Sequence, residues 1–521
     1  MNEMTLKTAP RMVRFLFVYH ARAAECGADL VLAATVAVLQ LTYAYLVPTH
    51  RSRTHKHMAL RITFAGGAGT VTGSNFLIES DEGGKVLVDC GIEQGRDFSV
   101  DAVYGDFPYD PSSIDALVVT HAHLDHVGRA PKLVRDGFRG TVYMTSATRD
   151  LAALITEDSV GILAEEARFK HLPVLYEQKD VDKFLSLIKP LSYHQEHQVA
   201  PGISAYLRNT GHILGSASVR LTGSGGETLA LTGDIGNSPS PLLPDWEPVD
   251  DADVLVMESV YGDRLHPDRE GRVLRLRDTL KRAFATGGTV LMPAFSMERT
   301  QLMLYEISNF MEAGEIPKVP VFLDSPLAIR VTEVYRTHGP EYFKPEVQDE
   351  ITREGDIFDF PFLKKTLSRE ESDQIKHVPG PKLIIAGAGM SHGGRIGRHE
   401  ARYLPDPKTT LIIVGYQAPG SPGRLMQEGA KHVRLGGHDV RIRGKVEILE
   451  GWSGHADRDE LMSFASHALP RAKTIFTALG EPATERFLAQ RIHDFLDGNA
   501  RVPQPLETWE MTKEGVHKVS K

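Results

Sequence analysis

The feature that most constrains this chain is a hexad, His121-Ala-His123-Leu-Asp125-His126, set directly after the apolar run Ile114–Thr120. An apolar, β-branched run bounded by polar residues reads as a buried strand. Side chains two apart on an extended backbone point the same way, so His121 and His123 can share one ion. Where the chain then turns into a helix, Asp125 and His126 can face a neighbouring ion. Scattered surface histidines do not produce such spacing at a strand end. Imidazole and carboxylate ligands suit zinc, and can also suit manganese or iron.

The flanking sequence supplies more strand ends. Leu60–Ala65, Asn75–Glu79, Lys85–Asp89, Gly202–Asn209, Ser218–Thr222, Thr228–Thr232 and Asp253–Glu258 are β-like, interleaved with helical stretches such as Ala130–Asp136 and Thr148–Ala164. This alternation predicts a layered α/β domain. From about Gly262 the rhythm changes. Strands Thr289–Pro293, Pro320–Asp324, Lys382–Ala386 and Thr410–Tyr416 alternate with helices Glu270–Thr286, Ser296–Ala313 and Gly394–Leu404. That pattern predicts a parallel, three-layer domain. Near Val446 the chain returns through a strand and a Ser-Gly-His turn to a helix, Arg458–Ala468, and a strand, Ala472–Ala478. The expected division is a leader over 1–57, a first domain over 58–261, an inserted domain over 262–445, and completion of the first domain over 446–521.

At 521 residues the chain is too long for one core. Two cysteines, Cys26 and Cys90, exclude a disulfide framework, and a reducing cytoplasm fits them. A net charge of −9 excludes a protein that coats nucleic acid non-specifically, but not one with a local basic patch. The leader reads differently. Leu30–Val47 is 18 residues without a charge, the lower limit for a membrane span. Basic residues flank it on both sides, so no orientation follows. Met58 opens Met-Ala-Leu-Arg-Ile-Thr-Phe, a natural start for a first strand. The leader is expected to be dispensable, with a membrane anchor through residues 30–47 as the alternative.

Two further pieces lie at strand ends, Gly211-His212 and Leu231-Thr-Gly-Asp234. Alone, His212 reads as a satisfied loop histidine and Asp234 as a turn former. With the hexad they complete a site of three histidines and a carboxylate, in which Asp234 can bridge two ions. Val-Asp89-Cys-Gly, His-x-His-x-Asp-His, Gly-His212 and Gly-Asp234 resemble the successive motifs of the metallo-β-lactamase superfamily. Glu258, in Leu-Val-Met-Glu-Ser-Val-Tyr-Gly-Asp, and His455, in Trp-Ser-Gly-His-Ala-Asp, are similar to motifs A and B of its β-CASP branch, which processes RNA or DNA. Pro293-Ala-Phe-Ser, Leu323-Asp-Ser-Pro-Leu-Ala, Gly387-Ala-Gly-Met-Ser-His-Gly-Gly-Arg and Val414-Gly-Tyr-Gln-Ala resemble the inserted domain of members related to the pre-mRNA 3′-end cleavage nuclease. The similarity runs from about Ala59 to Glu481.

The resemblance implies an αββα metallo-β-lactamase sandwich with an inserted three-layer α/β β-CASP domain. It implies hydrolysis of phosphodiesters in single-stranded nucleic acid, RNA more readily than DNA, and it is compatible with a homodimer. It implies two zinc ions, the first held by His121, His123, His212 and Asp234, the second by Asp125, His126 and the shared Asp234. Asp89 would orient a histidine. Asp125, Glu258 and His455 would be catalytic, His455 protonating the leaving oxygen while Glu258 fixes its tautomer. Motif C departs from the family. Thr477-Ala-Leu479-Gly-Glu carries leucine where a histidine ligand belongs, which would weaken the second zinc site. Substrate contacts are expected at Ser391 and Arg395, at the start of a helix, and at Lys431, Arg441 and Arg443 in a basic run broken only by Asp439. Such a run is usually a solvated face. The alternatives are a DNA-directed nuclease of the same branch, a small-ester or lactone hydrolase, and a catalytically weakened nucleic-acid-binding scaffold.

Overall fold

The computed structural model describes residues 60–94, 100–267, 271–512 and 515–519. The leader, with its stretch 30–47, lies outside the described residues. Among the described residues, no helix is long and apolar enough to cross a membrane.

Leu60–Phe64 alternates buried and more exposed side chains, the period of a strand with one face on a core. It lies inside an eight-stranded sheet, antiparallel to Phe76–Ser80 on one side and to Thr508–Thr512 on the other. Beyond Lys85–Val88 the pairing becomes parallel through Ala116–Val118, Thr141–Met144 and Ile188–Pro190. A second sheet of seven strands runs from Ala500–Arg501 through Thr474–Ala478, Val254–Glu258, Thr228–Leu231, Ala217–Gly223 and Ile203–Asn209 to Glu196–Ala200. The sheets share one core containing Leu60, Ile62, Phe64, Val219, Val254 and Phe476. Phe64 packs edge-on against Phe76 and tilted on Phe476, with centroids 5.7 and 5.3 Å away. Helices Arg458–Ala468 and Pro482–Leu496 cover the outer face of the second sheet. Ala130–Arg135 and Ser146–Lys170 cover that of the first. This is the αββα sandwich.

A third sheet has six strands, all parallel, in the order Leu363–Lys365, Val321–Leu323, Lys382–Ala386, Thr289–Pro293, Thr410–Val414 and Lys445–Leu449. Its central strands, such as Lys-Leu-Ile-Ile-Ala, are buried throughout because helices cover both faces. Arg272–Ala285, Arg299–Glu312 and Pro326–Tyr342 pack on one face. Gly394–Tyr403, Pro422–Gln427 and the hairpin of His432–Leu435 with His438–Arg441 pack on the other. Lys445–Leu449 pairs with Thr410–Val414, so the third sheet keeps a strand that the sequence pattern had passed back to the sandwich at 446. Periodicity identifies a strand but not the sheet it joins. Helix Pro326–Tyr342 meets Ser146–Lys170 across the two lobes, with the Tyr342 and Ser146 hydroxyls 3.0 Å apart and His338 Nε2 2.8 Å from Asp150 Oδ2.

Candidate metal centre

The centre is assembled on strand ends. Asp89 ends the strand Lys85–Val88 with φ at +62°, a conformation uncommon for a residue with a side chain. Its carboxylate accepts from Ser74 Oγ (2.9 Å), Thr120 N (2.8 Å) and Thr120 Oγ1 (3.0 Å), and lies 2.7 Å from His126 Nδ1. With Nδ1 turned to Asp89, His126 Nε2 is buried 3.2 Å from Asp234 Oδ1. Burial works against a charge on this ring, but Asp234 and Asp89 outweigh it and hold its pKa well above the usual imidazole value. Gly91 passes so close beneath the hexad that a side chain there would overlap the Asp125 carbonyl.

His121 and His123 leave the end of strand Ala116–Val118 together. His121 Nε2 and His212 Nε2 each lie 3.1 Å from His123 Nδ1, and Asp234 Oδ2 lies 3.4 and 3.3 Å from the two Nε2 atoms. A tetrahedral ion with bonds of roughly 2.0–2.1 Å has its ligand atoms about 3.3 Å apart, so these four atoms fit a metal. His212 is oriented by donating Nδ1–H to the Gly454 carbonyl at 2.9 Å. Burial pushes His123 and His212 well below the usual imidazole range, which keeps them neutral, the form that coordinates. Burial opposes the charge on Asp234, but His126, His121 and His455 outweigh it and hold the carboxyl well below its ordinary value.

Asp234, Glu258 and His455 form a second cluster, with ligand atoms within 4.8 Å of one another. Glu258, buried at the end of Val254–Glu258, accepts from Ile235 N at 2.6 Å and lies 3.3 Å from His455 Nδ1. Burial works against a charge on His455, and Glu258 and Asp234 overcome it, raising its pKa to about 9. The following helix is capped by Asp457 in a capping box with Glu460, so His455 is not spent as a cap. The sequence reading did not join Asp234 to this pair, because the three residues come from separate segments. Among the described residues, Asp125 enters neither cluster. Burial raises its carboxyl pKa, in the fields of His126 and Asp234.

Other expected positions fall differently. Leu479 is 2% exposed, its side chain against Gly67 in the sandwich core beside Phe76 and Phe476. Ser391 is buried and donates to Glu400 Oε1 at 2.6 Å, so its hydroxyl is not offered to a ligand. Arg395 is committed to Asp324 Oδ1 at 2.6 Å and to the Thr366 carbonyl at 3.0 Å. Lys431, Arg441 and Arg443 are exposed, on or beside the hairpin. They cluster near the start of Lys445–Leu449, whereas His455 follows its end.

A two-sheet sandwich with three histidines and an aspartate at its edge, and a parallel lobe inserted beside them, defines a metallo-hydrolase. The model of the metallo-β-lactamase superfamily matches residues 68–293, that of the β-CASP domain 300–426, and that of a Zn-dependent metallo-hydrolase RNA specificity domain 439–503. The chain is 37% identical to Ribonuclease TTHA0252 of Thermus thermophilus over 405 residues, 78% of this chain and 90% of that one. It is 33% identical to Transcription termination factor FttA of Methanosarcina mazei over 473 residues, 88% of this chain and 73% of that one. A crystal structure of a protein of unknown function from Enterococcus faecalis shares the fold, with a TM-score of 0.52 at 12% identity, covering 87% of this chain and 100% of that one. The chain belongs to the metallo-β-lactamase superfamily, in its β-CASP branch.

Proposed function

We propose that this chain is a metal-dependent nuclease that hydrolyses phosphodiester bonds in single-stranded RNA. The carrying observation is the set of four ligand atoms from His121, His123, His212 and Asp234, in which His121 and His212 each lie 3.1–3.4 Å from His123 and Asp234. The RNA specificity model at 439–503 and relatives named as a ribonuclease and a transcription termination factor support RNA over DNA. Three imidazoles and a carboxylate suit zinc. The partnerless His126 Nε2, the second Asp234 oxygen and the Asp125 carboxyl would serve a second ion.

A divalent ion held by His121, His123, His212 and Asp234 would supply Lewis-acid polarisation of a phosphoryl oxygen and a water acidic near neutral pH. The chain's own residues do the rest. Asp89 fixes the His126 ring, and Gly454 fixes that of His212. Glu258, anchored by the Ile235 amide, holds His455 and keeps its proton available for the leaving oxygen.

Metal content and single-turnover cleavage of labelled single-stranded RNA and DNA test the reading together. RNA should be cut faster than DNA, and product lengths separate internal from terminal cleavage. His123→Ala should lose metal, and should lose more activity than the roughly 100-fold that removal of an outer partner costs. Wild-type turnover by purified His123→Ala protein would sink the assignment.

A further inference from the structure

One buried charge is left over by the chemistry above. Arg299 opens the 14-residue helix Arg299–Glu312 and is 7% exposed, yet its Nε and Nη1 have no hydrogen-bond partner. Several other buried cations donate to backbone carbonyls or a carboxylate. Arg272 donates to the carbonyls of Gly451 and Pro239, Lys382 to those of Ile375 and Val378, and Lys132 pairs with Asp136. The adjacent Glu298 offsets part of its charge, but its carboxyl accepts from the Tyr335 hydroxyl at 2.6 Å. Two unbonded guanidinium nitrogens in the interior oppose folding, and a neighbouring charge does not replace their lost hydrogen bonds.

Arg299, Glu298 and Leu302 line the same cavity as His212, Ser453 and Gly454. The guanidinium also lies against Gly415, where a Cβ would come within 3.8 Å of Nε, at the end of the strand Thr410–Val414. It therefore shares a small cavity with a proposed metal ligand. The planar fork of arginine matches two oxygens of a phosphate, and the positive end of the helix adds to the field.

We propose that Arg299 binds a backbone phosphate of the nucleic-acid strand beside the metal centre. The identity of the ligand rests on the nuclease reading, whereas the existence of an anion site rests on the unanswered guanidinium alone. Positioning by Arg299 would hold a neighbouring phosphate while the scissile one is attacked.

Two arms test this. In the first, inorganic phosphate is added to metal-depleted wild-type protein and to Arg299→Met. Phosphate should raise the melting temperature of the wild type only, and Arg299→Met without phosphate should melt no lower than wild type, since an unpaired charge has been removed. In the second, RNA carries a single neutral methylphosphonate at successive positions. At one position the wild type should lose about tenfold in affinity, the loss expected from one charge-assisted contact, while Arg299→Met loses nothing further there. Equal stabilisation of both proteins by phosphate, strictly additive losses at every position, or a much lower melting temperature for Arg299→Met would overturn the proposal. Should Arg299→Met fail to fold, Arg299→Lys, which keeps the charge without the fork, is put through the same methylphosphonate series. Failure of the wild type to cut RNA would sink the nuclease reading instead, and the phosphate arm would still decide the anion site.

Discussion

Leu479 and Glu400 show how much a single side chain depends on what surrounds it. Leu479 has a φ of +51° and donates its amide to the Gly67 carbonyl at 2.7 Å. The resemblance read from the sequence takes the position for a missing ligand, yet the leucine fills the sandwich core. Leu479→His should therefore bury an imidazole without a partner, lowering stability by about 1–3 kcal/mol with unchanged zinc stoichiometry. Zinc titration beside thermal melts checks this, and an added equivalent of tightly bound zinc would restore the missing-ligand interpretation. Glu400 is fully buried, and burial raises its pKa to about 7 against the donor from Ser391. The unfolded carboxyl titrates near 4.5. Between these values the folded protein binds more protons, so stability falls as pH rises from 4.5 to 7. Glu400→Gln should match wild type below that window and gain above it, by up to about 3 kcal/mol less the loss from an unpaired amide. Urea melts at pH 4.5 and pH 8 measure the difference, and equal gains at both would contradict the burial argument.

At the scale of elements, the candidate ligands were legible because strands end where they must. The apolar run before His121, the strand before Asp234 and the glycine-flanked His212 each carried their own signal. Several third-sheet elements were equally plain, since fully buried parallel strands such as Thr289–Pro293 read as unbroken apolar runs. Long-range relations were not legible. Nothing local in Thr508–Thr512 announces that Trp509 will pair opposite Ile62, across more than 400 residues of chain. Nor does a Glu-Arg pair at a helix start reveal that Arg299 will be buried without a partner. The Asp-Cys-Gly turn gives a case where local sequence and long-range packing meet. Gly91→Ala would force the backbone away from the Asp125 carbonyl, so it should displace Asp125 and His126 and weaken metal binding while leaving the sheets intact. Circular dichroism should be unchanged and metal affinity lower; retained affinity would show that the loop yields without consequence.

Across the whole molecule, the first described strand and the C-terminal strand Thr508–Thr512 close the sandwich together. Trp509 is 7% exposed and packs 5.2 Å from Phe476, joining the C-terminal segment to both sheets. Ending the chain at Pro505 should remove the burial of Trp509 and Met511, roughly 1.5–3 kcal/mol for each, and bare the edge of Leu60–Phe64. A lower melting temperature with concentration-dependent aggregation is expected, and an unchanged monomer would show that the edge needs no cover. The inserted lobe is attached in another way. The outgoing chain leaves at Glu258, the returning chain arrives at His455, and these two side chains are 3.3 Å apart, with His455 bridged to Gly236. The lobe is thus hung like a door whose pin passes through the candidate metal centre, with Tyr342 and His338 latching it to Ser146 and Asp150 of the sandwich. Any swing of that door would reshape the cavity that Arg299 shares with His212 while the pin stays in place.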